Sequence, residues 1–457
     1  MSGLEISEVY LTNIKKQGFR IESEYFAKHY LELEANIYNF DELHKYVSAI
    51  ECGPFGSSLL DTEYSMEGLP FVRPLNLVDG IVNKNNFVYV SEDRAMKNGL
   101  KTYPKWTLVL SRVGVYVRFG VVSDFEKIVI SSNAIAVVPK DEVVSKFLAV
   151  YLRTKYGHLQ LYRNQQYSSQ PKIATDFISK MKVPKIEGFY RRIADCYDTA
   201  LLLLRKADDE FSKAEQMLLV ELGIKGFVPS NDPISVKSFF ESFKMNGRLD
   251  AEYYQPKYVD YEVALNATHV LTELCNIHDS VFMPSTGEFK YIELADIGTT
   301  GNITSCTIAP FDELPSRARR LVKRGQVIVS SIEGSLASCA LVTDDYNGAI
   351  CSTGFYIVDS TKINSETLLV LFKSEPIQQI MKKRCSGTIL TAISKSALEA
   401  MPFPLIKEDK QREIADLIQS SFSLRSQSEQ LLERATQAVE IAIEDGEEKA
   451  LKFLESL

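Results

Sequence analysis

The chain has 457 residues, 45% of them hydrophobic and 25% charged, with a net charge of −8. That length predicts two or three domains, each able to bury its own core, and the acidic balance excludes a protein that coats nucleic acid non-specifically. No run of about 18 apolar residues occurs, and Met1–Arg20 is too polar for a secretory signal, so no membrane span and a cytoplasmic location are expected.

The first motif is Arg20-Ile21-Glu22-Ser23-Glu24-Tyr25-Phe26, followed by Tyr30. From Phe40 to about Pro184, short β-type runs alternate with Gly, Pro, Asn and Asp: Phe71-Val72, Phe87–Val90, Thr107–Leu110, Val115-Tyr116-Val117 and Ile128–Ile130. Phe147–Tyr156 reads as a helix. From Glu187 to Leu222 apolar residues recur at three- and four-residue steps (Ile193, Cys196, Ala200, Leu203, Leu204, Ala207, Phe211, Ala214, Leu218), which predicts one long amphipathic helix. Gly223–Pro233 breaks it. Asn231-Asp232-Pro233-Ile234 within that breaker is read as a turn. In the second half Tyr291-Ile292, Val327–Val329, Cys339–Val342 and Phe355–Val358 read as strands, and Ser365–Met381 as a helix. Asp409–Ile443 reads as a second long amphipathic helix ahead of the acidic Glu444–Glu448.

The opening motif returns half a chain later as Arg248-Leu249-Asp250-Ala251-Glu252-Tyr253-Tyr254, followed by Tyr258. A repeat this long is too large for a solenoid unit and implies two homologous domains in tandem. Other segments superpose on the same plan: Phe71–Leu77 on Tyr291–Ile297, Val109–Gly114 on Val329–Gly334, Ile173/Met181/Pro184 on Ile393/Met401/Pro404, and Ile193–Asp195 on Ile414–Asp416. The order is globule, long helix, globule, long helix. Each helix would extend roughly 50 Å. A stripe that long needs a partner, and the other long helix is the best available.

The layout resembles the specificity (S) subunit of type I restriction-modification enzymes, over nearly the whole chain. The resemblance rests on the repeated globule–helix order, Arg248–Tyr258, Gly53–Ser58 ahead of Gly68–Pro74, and Gly387-Thr388-Ile389 ahead of Met401–Pro404. It implies an α+β fold with two β-rich target recognition domains, at 1–186 and 247–406. A long helix at 187–223, a linker at 224–246 and a second helix with acidic tail at 407–457 would complete it, the helices forming an antiparallel coiled-coil spacer with pseudo-two-fold symmetry. It further implies recognition of a bipartite, asymmetric site on double-stranded DNA, and the scaffolding of two methyltransferase (M) subunits and of restriction/translocase (R) subunits. S-adenosylmethionine, ATP and magnesium would belong to those partners.

Local charge fits that role. Ala95–Gly120 carries Lys97, Lys101, Lys105, Arg112 and Arg118 with no acid, and Lys146–Lys172 carries Lys146, Arg153, Lys155, Arg163 and Lys172 with no acid. In the second half Arg317, Arg319, Arg320, Lys323 and Arg324 cluster, and Lys382-Lys383-Arg384 precedes Gly387-Thr388. Such clusters in an acidic chain are where phosphates would be neutralised. Asn164, Gln165 and Gln166 offer amides for adenine edges, and Ser111 and the pair Ser330-Ser331 follow matched strands toward the same places. The expected DNA contacts are therefore Lys105, Ser111, Arg112, Arg163, Asn164, Gln165, Gln166, Lys172, Arg320, Lys323, Lys382, Lys383, Arg384 and Thr388.

Catalytic signatures are missing from the sequence: no phosphate-binding loop, no dinucleotide fingerprint, no His pair at ligand spacing, and seven widely spaced cysteines without a C-x-x-C pair. The expected role is recognition without catalysis, metal or cofactor of its own. Glu32, Glu34, Asp260 and Glu262 lie in the repeated element, where a scaffold role outranks acid–base work. Two other readings stay open: a protein-interaction adaptor built on a duplicated module, and a restriction enzyme or methyltransferase with an unrecognised centre.

Overall fold

The computed structural model describes residues 6–16, 19–37, 39–54, 59, 61–84, 87–163, 165, 171–245, 247–284, 286–387 and 391–456. The fold is α+β, and the chain divides into two compact units: Met1–Leu203 with Gln427–Leu457, and Leu204–Ser426. Among the described residues no helix is long and apolar enough to cross a membrane.

In the first unit a six-stranded sheet runs in the order Val47–Cys52, Ala134–Pro139, Leu108–Ser111, Phe119–Val121, Gly80–Val82, Leu77–Val78. A four-stranded sheet, Val88–Val90, Leu69–Val72, Lys127–Ile130, Tyr103–Pro104, packs on one face of it. Strand alternation explains the sandwich. Val109, Ala134 and Ala136 point to the second sheet and join Val72, Ile128 and Ile130. Leu108, Leu110, Ile135 and Val137 point the other way, onto Phe147, Leu148 and Tyr151 of the helix Glu142–Tyr151. With both faces covered, these strands read as unbroken apolar runs rather than alternating ones.

The second unit repeats the plan with a four-stranded sheet in place of the six-stranded one. Asn276–His278, Phe355–Asp359, Val327–Ser330 and Cys339–Leu341 form one sheet; Thr307–Pro310, Glu288–Ile292, Ile350–Ser352 and Ala318–Leu321 form the other. Each unit holds a parallel contact at the matching place, Phe71 beside Val129 and Tyr291 beside Ile350, and the first unit has a further one, Gly80 beside Gly120. Here too Ile328 faces the second sheet while Val327 and Val329 face the helix side.

The long helices span Glu187–Glu221 and Glu408–Glu444. Gly223 (φ +70°) ends the first: its N–H bonds the Val220 carbonyl at 3.0 Å, and Ile224 N–H bonds that of Leu219 at 2.9 Å, a closure that needs a left-handed residue there. Buried positions recur every seventh residue: Ile193, Ala200, Ala207 and Ala214 on the first, Ile414, Ser421, Ser428, Ala435 and Ala442 on the second. Small side chains let the backbones approach closely enough for serine to bridge them. In the first unit the Ser428 hydroxyl donates to the Ala200 carbonyl at 2.8 Å; in the second, Ser421 donates to the Ala207 carbonyl at 2.7 Å. Within the second unit Lys407 also pairs with Glu221 at 3.0 Å, so there the contacts ascend one helix while descending the other and the two segments pair antiparallel, with the seven-residue spacing of a coiled coil.

Four expected elements differ from the sequence reading, the first being Phe147–Tyr156, which falls partly in the helix Glu142–Tyr151 and partly in the helix Lys155–Arg163. Val115–Val117 is a loop, because Gly114 (φ +127°) turns the chain before the next strand starts at Phe119. Ser365–Met381 is two helices, Ser365–Lys373 and Glu375–Arg384; Ser374, extended at ψ 142°, leads into Pro376, which suits only the first turn of a helix. The acidic tail is the start of a further helix, Glu447–Glu455, released by Gly446 (φ +97°) and anchored by buried Ala450.

Candidate nucleic-acid interface

In each unit two segments far apart in sequence meet at one end of the sheet. In the first, the strand Leu108–Ser111 runs into the loop 112–118, and the chain following the helix Lys155–Arg163 is stitched to it. Ile173 N–H donates to the Arg112 carbonyl at 3.0 Å, Gly114 N–H donates to that of Pro171 at 3.1 Å, and Gln165 Nε2 donates to that of Gly114 at 2.9 Å. In the second, Val327–Ser330 leads to residues 331–338, joined to the chain beyond Glu375–Arg384 in the same manner. Ile393 N–H donates to the Ser331 carbonyl at 2.8 Å, and Glu333 N–H to that of Thr391 at 3.0 Å.

Serines at the ends of the matched strands hold these loops from inside. Ser111 is buried; its hydroxyl accepts from Arg118 N–H at 2.8 Å. Ser330 is buried too, accepting from Ile332 N–H at 3.2 Å and lying 3.0 Å from the Ser335 hydroxyl. Their burial turns both hydroxyls away from solvent, where a ligand would be met.

The duplicated motif clamps the helix that leads into the loop. The Arg20 guanidinium lies 4.1 Å from the Tyr25 ring centre, pairs with Glu22, and donates at 3.4 Å to the carbonyls of Arg163 and Gln165. Arg248 lies 4.4 Å from the Tyr253 ring, pairs with Asp250 at 2.6 Å, and donates to the Cys385 carbonyl at 2.9 Å. The last carbonyls of a helix lack partners and carry the negative end of its dipole, so a guanidinium there satisfies and neutralises them together. The hydrogen bond from Arg248 holds the Asp250 carboxyl below the usual carboxylate range, and Glu22 is lowered likewise, first by its own backbone N–H and then by Arg20.

A second cation completes each clamp. Arg163 reaches inward to Glu34 at 2.9 Å, donates to the Tyr25 carbonyl at 3.0 Å and stacks 4.3 Å from the Tyr25 ring. Lys383 does the same work in the second unit, 2.7 Å from Glu262 and 5.3 Å from the Tyr253 ring, and Arg384 joins Glu262 at 2.9 Å. Glu34 and Glu262 are thus ion-pair anchors at equivalent places in the repeat.

The remaining expected contacts fall into two groups. Lys172 and Lys323 are exposed, Arg112 is half-buried beside the exposed loop tip, and Lys382 is half-exposed at 3.7 Å from Glu252. Others are engaged within the fold. Arg163 and Lys383 are buried in the clamps, Arg384 is paired with Glu262, and Lys105 bridges to Glu126 at 2.8 Å. Arg320 donates to the Phe355 carbonyl and lies 5.2 Å from the Tyr356 ring. Gln165 is buried, with its amide on Gly114. Asn164, Gln166 and Thr388 lie outside the described residues. Trp106 packs under Lys146, whose ammonium is 4.3 Å from the ring and 2.7 Å from Asp198. The seven cysteines are free thiols; burial pushes Cys339 up to about 11 and Cys275, Cys351 and Cys385 up to about 12.

No protein-family model matches the chain. Several solved structures are similar to it. The type I restriction-modification S subunit from M. genitalium aligns over 91% of this chain and 96% of its own, at 13% identity and a TM-score of 0.35. The HsdS subunit from Thermoanaerobacter tengcongensis aligns over 89% and 97%, at 13% identity and a TM-score of 0.29. A structure on the assembly and conformational transition of the type I R-M system aligns over 89% and 96%, at 14% identity and 0.28. This chain is similar to type I S subunits.

Proposed function

We propose that the chain is the DNA sequence-specificity subunit of a type I restriction-modification complex, acting in the cytoplasm against foreign DNA. One observation supports this most. The two units share a frame down to equivalent ion pairs and backbone bonds, yet differ in the side chains that the frame presents at its loop end. A repeated frame suits two equivalent partners, here two methyltransferase subunits with restriction subunits joining for cleavage. Differing loops suit two different half-sites of one asymmetric duplex.

In this reading the exposed Lys172 and Lys323 and the half-buried Arg112 meet the duplex, and the engaged Arg163 and Lys383 keep the loops in place. The paired helices set the gap between half-sites. Methyl transfer, with S-adenosylmethionine, and translocation, with ATP and magnesium, belong to the partners. The net charge of −8 suits that division, since partners closing around the duplex would supply the positive surface.

The test is selection from a random duplex pool by the chain co-purified with methyltransferase subunits, together with methylation mapping in cells with and without the chain. The expected result is one two-part motif with a fixed gap, methylated only when the chain is present. A complex with no sequence preference would favour an interaction adaptor instead. Methylation or cutting by the isolated chain would show a catalytic centre of its own.

A further inference from the structure

We infer that Tyr116, with Val115 beside it, is a stacking wedge that enters a base step of the half-site read by the first unit. The inference rests on the DNA reading above and names a residue that the charge pattern did not single out. Val115 and Tyr116 are 63% and 73% exposed at the tip of the loop 112–118, an unusual place for two adjacent bulky apolar groups. The loop beneath them is well held. Gly114 takes the left-handed turn at φ +127°, Gln165 and Pro171 bond it from one side, and Ser111 and buried Val117 fasten the other.

A rigid base and an exposed apolar tip are what a wedge requires, because little ordering entropy remains to be lost on binding. The tip is flanked by cations, Arg112 before it and exposed Arg118 after it, with exposed Lys172 bridged to Val113 at the neighbouring backbone. That charge pattern suits an apolar insertion between two phosphate rows. Tyr116 also sits edge-on to Tyr162, ring centres 6.3 Å apart, so among the described residues its ring has one aromatic neighbour, and most of it is exposed. The equivalent loop of the second unit is built otherwise. It carries Glu333, Gly334 and Ser335 at its tip, and its two bulky apolar residues are drawn in, Leu336 buried and Ile332 half-buried and bridged to Ala392. The wedge would therefore act on one half-site only.

The experiment places 2-aminopurine at successive positions of both selected half-sites and records its fluorescence on binding the complex, for the parent chain and for Tyr116→Ala and Tyr116→Phe. Base–aromatic stacking predicts about a 10- to 100-fold weaker affinity for Tyr116→Ala. A fluorescence change at one step of one half-site should disappear with it, while Tyr116→Phe keeps both. Since the side chain is exposed, the unfolding temperature of Tyr116→Ala should equal the parent's, which separates the effect from misfolding. Sequence-specific binding by the parent with Tyr116→Ala indistinguishable from it would overturn the wedge alone. Equal loss at both half-sites would also overturn it. A parent complex that selects no sequence would sink the DNA reading and the wedge together.

Discussion

Arg163 separates a scaffold cation from a phosphate-binding one, and Arg163→Met tests which it is. The side chain is only about one-tenth exposed, and three interactions hold it. Its charge-assisted bond to the Tyr25 carbonyl contributes about 1.5–3 kcal/mol, since that acceptor would stay buried without it. Stacking on the Tyr25 ring at 4.3 Å adds about 1 kcal/mol. The ion pair adds at most about 1 kcal/mol, because the Glu34 side chain is 42% exposed and partly screened. Methionine refills some of the volume, so the net loss should be about 2–4 kcal/mol. For a unit of this size that lowers the unfolding temperature by about 5–10 °C, read by scanning calorimetry of the whole chain. Arg163→Lys copies the arrangement of Lys383 in the second unit and should restore roughly half of the loss. An unchanged unfolding temperature in Arg163→Met, with a shallower dependence of DNA affinity on salt, would refute the clamp and return Arg163 to the DNA surface.

Three further outcomes are expected. Gly120→Ala would place a Cβ 2.4 Å from the Ile81 carbonyl oxygen, inside a parallel strand pair that cannot part, and should cost about 3 kcal/mol in denaturant unfolding; Gly334→Ala, which meets nothing within 4 Å, should be close to neutral. Glu444 accepts from Lys155 at 2.5 Å and from the Tyr156 hydroxyl at 2.8 Å, and these bonds hold its carboxyl below the ordinary 4.5. Its stabilising contribution is therefore present above that value and lost as pH falls through the lower, folded one, so Glu444→Gln should flatten the acid limb of a stability–pH curve measured by urea unfolding. Deleting residues 201–207 and 422–428 together keeps the seven-residue seam and removes about 10 Å from each helix. If the helices set the gap, selection should return the same half-sites about three base pairs closer; changed half-sites with an unchanged gap would contradict the ruler.

The duplication was legible in the sequence because Arg20–Phe26 and Arg248–Tyr254 are constrained by the same local task. An arginine, a carboxylate two residues on and a tyrosine five residues on form one clamp wherever they recur. The long helices were equally legible, since apolar residues recurring at three- and four-residue steps with charged residues between them read as amphipathic helix. What pattern alone could not supply was the direction of each side chain. Arg163, Lys383 and Lys172 look alike as basic residues near a loop, but the first two turn inward onto Glu34 and Glu262 while Lys172 faces solvent. Val115-Tyr116-Val117 has the composition of a strand, and only the turn at Gly114 and the pairing of Phe119–Val121 leave it as a loop tip. Local composition determines which elements form and that they form twice. Long-range contacts, unavailable to any window of sequence, decide which charges are consumed in holding the frame and which remain at its surface.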